Sequence, residues 1–93
     1  MNPIYVLVHV SPILELDGNF SGRLRQVYDE LRRIVNQEEY FIAENPLAIP
    51  NGLPAGREIK VCGGLRGICV SNELESLIAA GFKATIHESA TLP

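Results

Sequence analysis

Cysteine is scarce in this chain, and what is scarce or missing narrows its class before any motif is read. Only Cys62 and Cys69 occur, with two histidines, and their spacing makes a poor zinc site. Two thiols and no signal-peptide pattern point to a reduced, cytoplasmic protein without a structural disulfide, with Met1 read as the native start. Long hydrophobic runs are also missing. Ile4–Val10 is apolar but far too short to span a bilayer, so no membrane partner is expected. Net positive charge is lacking too. The formal charge is −3 with scattered basic residues, which argues against a nucleic-acid partner. No repeat, coiled coil or low-complexity segment is visible.

What remains is an ordinary globular composition, 46% hydrophobic over 93 residues, which allows one small domain spanning 1–93. A chain of this length buries a modest share of its surface, so a shared interface would help it. Ile4 to Val10 is a continuous apolar, β-branched run of the kind buried on both faces of a parallel sheet. Pro12 should end it, and Asp17-Gly18-Asn19 reads as a turn. Ser21 is a plausible N-cap. Leu24, Val27, Tyr28, Leu31, Ile34 and Val35 then recur at helical spacing and share one face. The charges opposite read as a solvated face, with Asp29 and Arg33 as an i,i+4 pair.

Glu39–Ala43 is the second predicted strand. The segment from Asn45 to Arg57 carries three prolines and two glycines and reads as a long loop. Ile59–Cys62 is the third strand, Cys69–Ala80 a helix with Val70, Leu74, Leu77 and Ile78 on its inner face, and Lys83–His87 the fourth strand. Gly81 suits the left-handed position that closes the helix. The order predicts a small three-layer α/β sandwich, Rossmann-like, with a mostly parallel sheet of about four strands. The link between strands two and three is the element this order leaves least defined.

In such sheets ligands collect at the carboxyl ends of the strands. That edge should gather His9 and Ser11, the loop from Gly63 to Cys69, and His87 with Glu88. Cys69 at a helix N-terminus would have its thiolate favoured by free N–H groups and by Arg66. Cys62, inside a strand, reads as core. The glycines are explained by the strand-to-helix turn alone. The G-G-x-R-G run is neither a P-loop nor a dinucleotide fingerprint, so no cofactor is expected.

The run Val61-Cys62-Gly63-Gly64-Leu65-Arg66-Gly67-Ile68-Cys69-Val70, with Gly81 twelve positions after Cys69 and a closing Glu88-Ser89-Ala90-Thr91, resembles the C-terminal part of the isochorismatase-like cysteine hydrolases. That superfamily includes nicotinamidases and N-carbamoylsarcosine amidohydrolase. Tyr5-Val6-Leu7-Val8-His9-Val10-Ser11 is similar to its opening strand. The resemblance implies that Cys69 matches the family's nucleophile and His9 stands where its aspartate does. No residue matches the family's lysine or its usual metal ligands. Arg66 and Gly67 replace the threonine and aspartate that precede the cysteine.

Losing the general base and the cation should cost many orders of magnitude in rate. The expected function is therefore a shortened isochorismatase-like domain that binds a small anion or partner protein, or regulates, without catalysis. A homo-oligomer or protein partner would cover its open edges. The alternative is a minimal cysteine hydrolase of amide- or ester-like molecules. Cys69 would be its nucleophile, His9 its base, and Arg66, Gly67, Ile68 and Ser11 its substrate contacts. A sulfur-relay protein is a third reading, on the C-G-x-x-R-G-I pattern.

Overall fold

A computed structural model describes residues 2–15, 21–43, 49–64 and 66–92. The predicted turn at Asp17–Asn19, the first part of the 45–57 loop and the side chain of Arg66 lie outside what it describes. The elements run β1 (Ile4–Val8), α1 (Ser11–Leu14), α2 (Gly22–Gln37), β2 (Tyr40–Ala43), β3 (Glu58–Gly63), a π-helical turn (Arg66–Val70), α3 (Ser71–Ala79) and β4 (Lys83–Thr91). All strands are parallel, in the order β2-β1-β3-β4. The α/β class and the parallel four-stranded sheet match the sequence reading.

The apolar run at the start becomes a central strand for a physical reason. Every residue of β1 is buried, because both faces of the strand are covered. Tyr5 and Leu7 pack with Val27, Leu31 and Ile34 of α2 and with Cys62 of β3. Ile4, Val6 and Val8 face the other way, against Ile59, Val61, Val70 and Leu77. The period-2 alternation thus divides one strand between two cores. Ile49 and Leu53, from the segment between β2 and β3, pack into the second core. That segment covers the α3 face without forming a helix over 49–57.

Several local expectations need correction. β1 stops at Val8, and Pro12 does not end a strand but sits in the first turn of α1, where its missing N–H costs nothing. Ser21 precedes α2 as expected, yet its side chain makes no capping bond. Asp29 pairs with Arg25 at 3.2 Å, while Arg33 turns to Glu30 at 2.7 Å and Glu38 at 2.6 Å. Ile78 is 54% exposed, and Glu73 takes the buried place beside Val70 and Leu77. Gly81 does close α3 in the left-handed region, φ 94°, with the Phe82 N–H donating to the Leu77 carbonyl at 3.0 Å.

The fourth strand is longer than its apolar pattern suggests. It pairs Ile86 with Val61 and then Thr91 with Gly63, so residues 87–90 bulge opposite Cys62 alone. Arg23, on the first turn of α2, closes the bulge by donating to the carbonyls of Glu88 and, at 3.0 Å, Thr91. The Thr91 hydroxyl donates to the His87 carbonyl at 2.7 Å.

Candidate functional site

The chain reverses its winding between β1 and β3: β1 leads outward to β2, β3 outward to β4. In open parallel sheets the crevice at that switch point, outside the carboxyl ends of the strands, is where ligands bind. Here the two strands meet closely. The Gly64 N–H donates to the Val8 carbonyl at 3.1 Å. Gly63 holds φ 120°, and a Cβ on it would stand 1.9 Å from the Val8 oxygen. Glycine is required there by backbone contact and by φ.

His9 leaves the end of β1 at φ 51°, the one non-glycine residue with positive φ among those described. The bend turns the chain into α1 and leaves His9 exposed. Next to it opens a cleft of about 210 Å³, lined by His9, Val10, Ser11, Pro12, Ile42 and Ala43. An imidazole and a hydroxyl thus share a small cavity whose other walls are mostly apolar. The imidazole nitrogens can donate or accept, and the hydroxyl can do both.

Of the sequence-derived site residues, the structure brings His9 and Ser11 together, while Gly67, Ile68 and Cys69 are not among the residues that line their cleft. Cys69 does not line the cleft. It lies half-buried in the π-helical turn, packed on the α3-side core, and the helical path begins at Arg66 rather than at Cys69. Cys69 thus lies near the helix N-terminus, as expected, but α3 itself starts at Ser71 rather than at Cys69. Gly67 and Ile68 are exposed in the same turn, Ile68 by 58%. Cys62 is wholly buried, and burial pushes its thiol well above the ordinary range.

His87 is also relocated. It lies within β4, not beyond its end, and its ring points at the α2 side of the sheet. Its Nε2 is 2.7 Å from Glu30 Oε2 and 3.2 Å from the Ser89 hydroxyl, and its ring stands edge-on to Tyr5 with centroids 5.4 Å apart. Serine and carboxylate meet the same ring nitrogen, so this is not a relay in which a carboxylate orients a base toward a hydroxyl. Hydrogen bonds from Arg33, then from His87, hold the Glu30 carboxyl down at about 2 against the opposing effect of burial. The cluster is a tie between α2 and β4.

One residue escaped the sequence reading altogether. Glu73 is fully buried, and neither carboxyl oxygen has a hydrogen-bond partner among the described residues. Val70, Glu73 and Leu77 follow the i, i+3, i+7 spacing, so a helical projection would have put Glu73 on the inner face. Its polar identity hid it.

No protein-family model matches this chain, nor does any curated protein or solved structure at a significant level. Among the described residues no three His, Cys, Asp or Glu side chains converge as metal ligands, and no helix is long and apolar enough to cross a membrane.

Proposed function

We propose that this chain is a small-ligand binding module on a shortened isochorismatase-like fold, taking a small anion at the carboxyl end of β1 without hydrolysing it. The carrying observation is the cleft that unites His9 and Ser11 while Cys69 lies outside its lining. A cysteine hydrolase needs its nucleophile within hydrogen-bond reach of its base. A binding site needs only convergent donors in a concave, partly apolar setting, and His9 and Ser11 supply them. The volume of about 210 Å³ suits a ligand of a few heavy atoms, such as a short carboxylate or an inorganic oxyanion. Strained backbone at His9, φ 51°, is the kind of feature that collects at ligand sites.

A protein partner or a second copy belongs to the same reading. β2 is an edge strand, and Tyr40 and Ile42 on it are 37% and 46% exposed, beside the cleft that Ile42 helps to line. Light scattering after size exclusion tests this part directly.

The ligand site is tested by amide-resolved NMR titration with acetate and with inorganic phosphate. Shifts confined to His9, Ser11, Ile42 and Ala43, abolished in His9→Ala, are the expected outcome. No saturable shift with either anion removes the reading. An acyl adduct on Cys69 after incubation with simple amides and esters replaces it with the hydrolase.

A further inference from the structure

Glu73 places a carboxyl group on the buried face of α3. It belongs to the first turn of α3, directly after the π-helical turn, on the face shared with Val70 and Leu77. The surroundings of that face are apolar: Val8 of β1, Val61 of β3, Ile86 of β4, and Leu74. A buried polar atom without a partner calls for an explanation, since nearly all such atoms in folded proteins are satisfied. Here neither carboxyl oxygen has a partner among the described residues.

We propose that Glu73 is a pH-responsive latch: as a neutral acid it lets the start of α3 seat on the sheet, and as a carboxylate it drives residues 66–79 to open locally and uncover Cys69. A neutral carboxyl tolerates apolar surroundings far better than an ionised one. The Arg66–Val70 turn is the natural point of release, because π-helical turns interrupt the regular hydrogen-bond ladder and concentrate at functional positions. Cys69 lies in that turn, half-buried now and accessible once it opens.

The ionisable groups on the surrounding elements do not relieve the charge. They are Cys69 in the turn, Glu58 and Lys60 of β3, Lys83, His87 and Glu88 of β4, Glu75 of α3 itself, and Arg57 of the segment over the α3 face, which is engaged by Glu39 at 2.9 Å and by the Asn2 carbonyl. Lys60 alternates with Ile59 and Val61 and so faces the α2 side, where His87 also points. Glu58, Glu75, Lys83 and Glu88 are exposed. Burial is the single cause that raises the Glu73 carboxyl from 4.5 to about 7, with no contribution from any neighbouring charge.

The direction follows from linkage. Below pH 4.5 the acid is neutral whether the segment is closed or open. Between 4.5 and 7 only the open form ionises, so opening becomes steadily easier as pH rises. Above 7 both forms ionise and the effect levels off.

The test is hydrogen exchange of residues 66–79 in the full chain at pH 5 and pH 7.5, corrected for intrinsic rates. Site-resolved alkylation of Cys69 by iodoacetamide accompanies it. The opening equilibrium of the wild type should rise on the order of fiftyfold across that interval. In Glu73→Gln and Glu73→Leu it should change by less than about threefold. Equal pH dependence in wild type and variants overturns the latch. Should neither variant fold, the side-chain carbon of Glu73 in the wild type decides. A midpoint near 7 supports the proposal, and one near 4.5 ends it.

Discussion

His87 Nε2 lies 2.7 Å from Glu30 Oε2, joining edge strand β4 to α2 across 57 residues of sequence. The same carboxylate accepts two hydrogen bonds from Arg33, at 2.7 and 2.9 Å, and Arg33 reaches on to Glu38. One glutamate thus anchors a helix to the strand at the open edge of the sheet. Its 19% side-chain exposure shields the pair from solvent better than a surface ion pair.

Acid should expose this tie first. The Glu30 carboxyl falls from 4.5 to about 2 in the folded chain, chiefly through Arg33. A depressed carboxyl contributes stability above its unfolded value and loses it as pH falls through the folded one. Urea denaturation between pH 6 and pH 2 should show a loss of about 2 kcal/mol below pH 4.5 that Glu30→Gln lacks. Parallel acid limbs in the two proteins would show that other carboxyls dominate.

Two glycines in the left-handed region should respond very differently to alanine. At Gly63 a Cβ meets the Val8 oxygen at 1.9 Å, and φ is 120°. Gly63→Ala should cost more than about 3 kcal/mol, or prevent folding, because the obstruction is backbone and cannot swing away. At Gly81, φ 94°, nothing lies within 4 Å, so Gly81→Ala should cost only about 1 kcal/mol. Urea midpoints of the two variants measure the contrast.

The two thiols should separate cleanly under native conditions. Iodoacetamide should label Cys69 and leave Cys62 untouched until the chain unfolds, because Cys62 is fully buried and its thiol is held protonated. Peptide mapping reads both positions at once. Cys62→Ser should destabilise the fold by about 1–3 kcal/mol through the hydroxyl it buries.

Neighbouring residues on α3 test where its inner face lies. Leu77→Ala should cost about 2–4 kcal/mol, since the side chain is wholly buried between helix and sheet. Ile78→Lys should shift stability by less than about 0.5 kcal/mol, because that side chain is largely solvent-facing. Thermal melts of both variants are enough to decide it. Similar losses at the two positions would mean that α3 is rotated about its axis from the arrangement described.

The elements with strong periodicity could be read from the sequence alone. The β-branched run at Ile4–Val8 had to be a covered strand, and the apolar spacing from Leu24 to Val35 had to be one face of a helix. Gly81 had to close a helix. Local sterics and hydrophobic period act within a few residues, so the chain carries that information without help from distant parts.

What lay beyond that reach was decided by tertiary contact. Whether His9 would share a cavity with Ser11 or with Cys69 depended on the strand order and on where β1 bends, not on residue type. His87 was drawn into β4 by Glu30 and the Arg23-clamped bulge, partners more than fifty residues away. Glu73 went inside because its position, spaced with Val70 and Leu77, faces the sheet, although its residue type points to solvent. Sequence determined which segments are strands and helices, because those choices are local. Assembly determined which side chains meet, because each meeting joins parts of the chain that only the fold brings within bonding distance.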